Sequence, residues 1–140
     1  MKFQAQRNME LVVRKQSKLE FLPTYTKWLE KHQFPINCTS IMPENFFVCY
    51  AYETPIYALP FWHTDSKICV IAFIASDKNA NHRLKKGGLD YLIKQVIGYA
   101  KRKKYLSIFS STTNEIIIKS FENNGFVKGD LDSSQHFKIL

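Results

Sequence analysis

A short basic segment with two glycines is the part of this 140-residue sequence whose residue types point most directly to chemistry. The segment His82–Gly88 reads HRLKKGG, and an apolar stripe at helical spacing runs from Leu89 to Ala100. A helix N-terminus presents unpaired N–H groups and the positive end of the helix dipole. Because glycine lets the backbone approach a phosphate closely, Gly87 and Gly88 complete a candidate anion site.

A second patterned segment, Asn114–Phe126, reads NEIIIKSFENNGF. Asn114 is a favoured helix N-cap, and Gly125 is a favoured C-terminal stop for a helix that runs to about Asn124. The segment follows a predicted strand at Tyr105–Ser110. The second half of the chain is therefore predicted to run strand, basic loop, helix, strand and helix.

The elements that must position these segments are a set of predicted strands and one early helix. Three apolar, β-prone runs are joined by short polar turns, which predicts an antiparallel meander. These runs are Asn45–Tyr52, Ile56–His63 and Ile68–Ala75. The last of the three is an unbroken apolar run, which is typical of a strand buried on both faces. Further predicted elements are a strand at Met9–Val13, a helix at Leu19–His32, and final strands at Phe126–Val127 and His136–Leu140. We expect one mixed α/β domain over residues 1–140.

The two patterned segments together resemble the GNAT N-acetyltransferase superfamily. Gly87 matches the first glycine of that family's pyrophosphate loop, although Leu84 stands where arginine or glutamine is usual. In Asn114–Phe126, the residues Phe121 and Gly125 fall at the spacing of the family's Asn-x-x-Ala-x-x-x-Tyr-x-x-x-Gly-Phe helix. The resemblance covers roughly residues 45 to 127. The stretch Tyr57–Ser76 is similar to small acetyltransferase-like proteins of phage genomes.

The resemblance implies an α/β (α+β) fold with a mixed, mostly antiparallel central sheet and helices on both faces. It also implies acetyl-CoA as the cosubstrate, held between two strands that splay apart at their C-terminal ends. Pantetheine would contact Ile74, Ala75 and Ser76, with Asn114 and Phe121 beside it. The pyrophosphate would lie on Arg83, Leu84, Lys85, Lys86, Gly87, Gly88 and Leu89.

The implied reaction is direct attack of an unidentified amine on the acyl thioester. The family's usual thiolate acid is a tyrosine, and Phe121 occupies its position here. The strand Ile68–Ala75 also lacks the glutamate that many members use as a base. Two substitutes stay open: Asp77 is either a base acting through water or a solvated carboxylate, and Ser110 is either a thiolate donor or a strand-end residue. His63, at a strand end, is a further candidate for proton transfer.

Charge leaves several partners open. The chain has 20 Lys+Arg against 12 Asp+Glu, a formal net charge of +8, which favours an anionic partner such as nucleic acid, a membrane surface or a phosphorylated cofactor. The tract Lys101–Lys104 is either a solvated helix end or a contact for such a partner. The alternative function is therefore a non-catalytic GNAT-fold binding module for nucleic acid or another acidic partner. Transfer of an acyl group onto a nucleic acid is a third possibility.

Other classes are disfavoured by what the sequence lacks. No apolar run approaches the ~20 residues of a membrane span, and the N-terminus has no apolar stretch of signal-peptide length. The three cysteines form no CxxC pair, so neither disulfides nor a metal site is expected. We expect a cytoplasmic protein without membrane contact. A homodimer stays open, because a C-terminal strand pairs either within one chain or between two.

Overall fold

The computed structural model describes residues 10–30, 41–130, 132–138 and 140. It has a six-stranded sheet and four helices within those ranges, and this confirms the predicted mixed α/β fold class. In chain order the elements are β1 (Leu11–Ser17), α1 (Lys18–Glu30), β2 (Asn45–Ala51), β3 (Thr54–Trp62), β4 (Ile68–Ile71), β5 (Ala75–Ser76), α2 (His82–Lys85), α3 (Gly88–Arg102), β6 (Ser107–Ser110) and α4 (Glu115–Asn123).

The sheet is antiparallel except at one pair. Its order is β1-β2-β3-β4-β6, with β5 paired to β3. The short turns that join β2, β3 and β4 force those strands to run antiparallel, as the meander predicted. The long connection through α3 brings β6 beside β4 in the parallel sense.

Side chains of β2 alternate between two cores on opposite faces of the sheet. Phe46 and Val48 pack under α1, whereas Phe47 and Cys49 pack under α3. This alternation is the period-2 pattern of an extended strand with both faces covered. Helices therefore lie on both faces of the sheet, as expected.

The helix termini follow local signals. Ser17 and Glu20 form a capping box that starts α1 directly after β1: each side chain accepts the backbone N–H of the other, at 3.2 and 3.1 Å. Asn114 accepts the backbone N–H groups of Ile116 and Ile117 and so caps α4, as predicted.

The predicted strand Ile68–Ala75 is wrong as a continuous element. β4 ends at Ile71, and Phe73 adopts a positive φ of 55° before β5 starts at Ala75. A left-handed residue breaks the pleat, so the two short strands cannot form one ladder. Nor is the run buried on both faces throughout, since Ile68 is 37% exposed.

The two predicted C-terminal strands are also wrong in the part of the chain that the structure describes. Residues 126–130 and 132–138 contain no strand. Phe126 instead folds back on α4: its N–H bonds to the carbonyl of Phe121, and the two rings stack at 4.6 Å. Met9 and His32, predicted to begin β1 and end α1, lie outside the described residues. Among the helices of the described ranges, none is both long enough and apolar enough to cross a bilayer.

Candidate functional site

A cleft opens where the parallel strands β4 and β6 end. Their pairing stops at Ile71 and Ser110. Beyond these residues, the segment after β4 turns through Phe73 into β5, which pairs with β3. The segment after β6 continues through residues 111–114 to α4. The gap between the two paths is a cleft of about 860 Å³.

One wall of the cleft, the strand wall, is formed by residues 74–76, and the opposite wall, the polar loop wall, is formed by residues 110–114. One end is basic and contains His82, Lys85 and Lys86. Its lining comprises Tyr57, Phe73, Ile74, Ala75, Ser76, His82, Lys85, Lys86, Leu89, Ser110, Ser111, Thr112, Thr113, Asn114, Ile116, Ile117, Ser133, Ser134 and Gln135. No carboxylate lines it among the described residues. The cleft therefore offers hydroxyls, amides and backbone groups along its length and positive charge at one end.

The break between β4 and β5 is held from the far side of the sheet. The hydroxyl of Tyr25, a fully buried residue of α1, donates to the carbonyl of Phe73 at 2.6 Å. The Phe73 ring also lies 6.2 Å from the rings of Trp62 and Phe137. These contacts fix the backbone turn that separates the strand wall from β6.

The two glycines at the start of α3 have different roles. Gly87 adopts the left-handed conformation, with φ at 76°, and serves as the N-cap of α3. Gly88 is buried, and a Cβ at that position would lie 2.7 Å from Cδ1 of Ile56 and 3.3 Å from the Tyr57 ring. Gly88 therefore allows close approach of α3 to β3. It brings the N-terminus of α3 against the strand that carries Tyr57.

The residues predicted to hold a pyrophosphate divide into two groups. Lys85, Lys86 and Leu89 line the cleft, and His82 joins them there. Lys85 is positioned by a 3.0 Å bond from its Nζ to the carbonyl of Asp77. The remaining residues of the predicted set, Arg83, Leu84, Gly87 and Gly88, are not part of the lining. Arg83 is exposed, and Leu84 packs against the core.

The residues predicted to hold pantetheine lie mostly together. Ile74, Ala75 and Ser76 form the strand wall, and Asn114 lies opposite on the loop wall. Phe121 does not line the cleft, because its side chain is 8% exposed and packs in the core. The Phe121 ring thus has a packing role here.

The fold separates Ser110 and Asp77, the two residues predicted as the candidate thiolate donor and the candidate base. Ser110 lines the cleft at the end of β6. Asp77 lies outside the lining, where its Oδ1 accepts the N–H of Asn79 at 2.9 Å in a turn. His63 follows β3 at the opposite end of the sheet from the cleft.

Several cleft residues were missed by sequence reasoning. Tyr57 is half-buried, and burial, followed by the nearby Cys49, raises the pKa of its phenol, so the hydroxyl stays protonated. Gln135 donates to the Ser111 hydroxyl at 3.1 Å, which closes one side of the cleft with the C-terminal segment. The alternation of side chains between the two faces of β3 was the available sequence signal for Tyr57. No local sequence pattern linked Gln135 to the loop wall.

No family model and no curated protein sequence matches the chain, but solved structures do. An aminoglycoside acetyltransferase from an uncultured soil metagenomic sample, in complex with sisomicin, has a TM-score of 0.65 at 12% identity, over 96% of this chain and 98% of that one. Ard1 from Thermoplasma volcanium has a TM-score of 0.66 at 16% identity, over 86% and 84%. An aminoglycoside N-acetyltransferase in complex with CoA has a TM-score of 0.61 at 15% identity, over 93% and 96%. At such identities the likeness establishes the fold.

Proposed function

We propose that this chain, which has the fold of the GNAT acetyltransferases, is an acyl-CoA-dependent N-acetyltransferase that acts on an amine. The observation that carries the proposal is the cleft between β5 and residues 110–114, which opens beside the N-terminus of α3. The strand wall and the polar loop wall face each other and suit an extended, amide-containing thioester between them. The basic end suits the pyrophosphate at the terminus of such a molecule.

The cleft residues fit such a substrate. Among the described strands, β5 pairs with β3 only, so the edge of Ile74 and Ala75 that faces the cleft suits the amides of a pantetheine arm. Lys86 and His82 lie at the end where α3 begins, and the dipole of α3 adds to their attraction for a pyrophosphate. The volume of about 860 Å³ lies within the usual range for small-molecule sites.

The transfer step forms a bond between the amine nitrogen and the acyl carbon, and it breaks the carbon–sulfur bond. The amine loses a proton, and the thiolate that leaves needs a hydrogen-bond donor. In the proposed assignment Ser110 donates to the thiolate, because it is a hydroxyl-bearing residue of the cleft lining at the end of β6. No carboxylate of the described lining is placed to take the amine proton, so the amine enters in its neutral form and passes its proton to water.

Binding is tested by calorimetry with acetyl-CoA on the wild type and on Lys86→Ala. We expect the substitution to weaken binding about fivefold, equivalent to ~1 kcal/mol for a partly screened charge contact. Lys94→Ala is the matched control, since Lys94 is an exposed lysine of α3 that does not line the cleft. Absence of binding to the wild type at millimolar acetyl-CoA would overturn the proposal.

A second candidate function is binding of the acyl-CoA without transfer. Burial of Phe121 in the core and the lack of a carboxylate in the described lining favour it. Release of free thiol from acetyl-CoA, measured with a panel of primary amines between pH 7 and 9, separates the two. An N-acetyltransferase releases thiol faster as each amine loses its proton, and Ser110→Ala slows that release. A binding module retains acetyl-CoA affinity and releases no thiol with any amine.

A further inference from the structure

A cluster of basic and aromatic side chains lies at the end of the sheet opposite the cleft. It consists of Lys15, His63, Tyr99, Lys103 and Tyr105, and we call it the basic aromatic cluster. Between Tyr57 in the cleft and His63 the chain is extended for six residues, which corresponds to about 20 Å. The cluster is therefore separate from the site of the proposed transfer.

A chain of hydrogen bonds orients the polar atoms of this cluster. The N–H of Thr64 donates to the Tyr105 hydroxyl at 3.2 Å, and that hydroxyl lies 3.0 Å from Nδ1 of His63. On the other side of the imidazole, Nε2 lies 3.3 Å from the Tyr99 hydroxyl. The Tyr105 hydroxyl also lies 3.4 Å from the Thr64 carbonyl, and we assign its proton to the nearer Nδ1 atom, so that the neutral ring carries its proton on Nε2 and donates it to Tyr99. The Tyr99 hydroxyl then has its own proton left for a ligand.

The electrostatics agree with this proton arrangement. Burial, followed by the charges of Lys103 and Lys15, lowers the pKa of His63 below its ordinary value. The imidazole is therefore neutral at neutral pH, in agreement with the assignment of Tyr105 as the donor to Nδ1. Tyr99 is held firmly: it is 9% exposed, and its ring packs edge-on against Phe47 and Phe61 at 4.8 and 5.4 Å.

Two ammonium groups lie over the Tyr99 ring, and neither has an anionic partner in the described ranges. The Nζ atoms of Lys15 and Lys103 lie 5.4 and 5.6 Å from the centre of the Tyr99 ring. The ion pair found in the described ranges is Lys128–Glu122, so neither ammonium has a carboxylate within 4.0 Å there. Lys103 also belongs to the exposed tract Lys101–Lys104, which continues the positive surface.

We propose that the basic aromatic cluster binds a phosphate group of a nucleic-acid backbone. The surface offers hydrogen-bond donors and positive charge, while the Tyr99 ring, which would anchor a protein partner if exposed, is buried against Phe61. Lysine and tyrosine donors of this kind make the phosphate contacts that dominate nucleic-acid affinity. The proposal is independent of the cleft and of acyl transfer.

The test measures binding of a fluorescein-labelled 20-nucleotide single-stranded DNA by anisotropy from 25 to 200 mM salt, without acyl-CoA. We expect Lys15→Gln with Lys103→Gln to reduce the slope of log K against log salt by about 0.7, since both lysines contact the same phosphate and each phosphate contact to a single strand contributes about 0.7. Tyr99→Phe removes a donor and no charge. It should weaken binding several-fold and leave the slope unchanged.

Lys119→Gln is the matched control, since Lys119 is an exposed lysine of α4 on another part of the surface. This variant should bind the DNA only slightly less tightly than the wild type, through the general effect of losing one positive charge. Thermal melting verifies that each variant is folded. A double variant with the wild-type slope would overturn the proposal.

Competition identifies the partner class. Leu106 is 82% exposed next to Tyr105, so vesicles of anionic phospholipid are tested with poly-glutamate as competitors. Displacement of the DNA by either competitor at equal charge concentration would overturn the assignment to nucleic acid. Failure of both to displace it would support the assignment, whatever the result of the acetyl-CoA experiments.

Discussion

The two ends of β4 and β6 carry two different kinds of site. At their C-terminal ends the cleft is formed by diverging backbone, with short hydroxyl and amide side chains along it. At their N-terminal ends the basic aromatic cluster is formed by long side chains that meet from four elements or their flanks. The first site depends on buried residues that shape the backbone. The second depends on the charges and hydroxyls themselves.

The largest expected effect comes from Gly88→Val, which should damage the cleft and spare the cluster. A Cβ at this position already lies 2.7 Å from Cδ1 of Ile56, a fully buried residue, so a larger side chain forces α3 away from β3. We expect a loss of ~2–3 kcal/mol in the free energy of unfolding, measured by urea denaturation, together with weaker acetyl-CoA binding.

Gly98→Ala is the control for that change. The added Cβ meets the tip of Arg102 at 3.4 Å, so the better helix propensity of alanine should raise the free energy of unfolding by up to ~1 kcal/mol. Equal urea midpoints for Gly88→Val and the wild type would contradict the packing role of Gly88.

Tyr25→Phe tests whether the break between β4 and β5 shapes the cleft. The change removes the 2.6 Å hydrogen bond to the Phe73 carbonyl while the buried ring is kept. We expect a loss of ~1–2 kcal/mol in the free energy of unfolding and weaker acetyl-CoA binding, because the positive φ of Phe73 loses its support. Tyr52→Phe, at a tyrosine that is 52% exposed, should change neither measurement.

Asn114→Ala, at the loop wall of the cleft, should lower the stability of the protein by a somewhat smaller amount. The Asn114 side chain accepts two backbone N–H groups at the start of α4, and loss of such a cap costs ~1 kcal/mol. Asn114→Asp retains the cap, so it should restore the melting temperature that the alanine variant loses. A melting temperature of Asn114→Ala equal to that of the wild type would contradict the capping role.

The smallest expected effect is a pH dependence that reports on the cluster. The pKa of His63 is lower in the folded protein than the ordinary value of the unfolded chain, so between the two values the unfolded chain binds more protons. The contribution of this group therefore lowers the free energy of unfolding as pH falls through the ordinary histidine range towards the lowered pKa.

This dependence is measured by urea denaturation between pH 7.5 and 5.5. His63→Gln should remove it. The Lys15→Gln, Lys103→Gln double variant should reduce it, because both charges contribute to the lowered pKa. The same pH slope in the wild type and in His63→Gln would show that His63 is not responsible.

Local patterns predicted much of the fold correctly. The apolar stripe from Leu89 to Ala100 lies within α3, and Asn114 caps α4 as its side-chain chemistry required. These features depend on residues within one or two turns of each other, so neighbouring sequence is enough to specify them. The break at Phe73 could not be predicted in this way. The run Ile68–Ala75 contains neither glycine nor proline, and the contact that holds the break comes from Tyr25, 48 residues earlier.

The sequence by itself determined the order of the main elements from β1 to β4 and from α3 to α4, and the resemblance to the acetyltransferase fold. Tertiary structure decided which polar groups share a site. It placed Ser110 in the cleft and Asp77 outside it, and it joined His63 to Tyr99 across 36 residues and to Tyr105 across 42. The physical reason is range: periodicity and capping act between neighbours along the chain. The geometry of a site instead depends on strand divergence and on packing between residues that are distant in sequence.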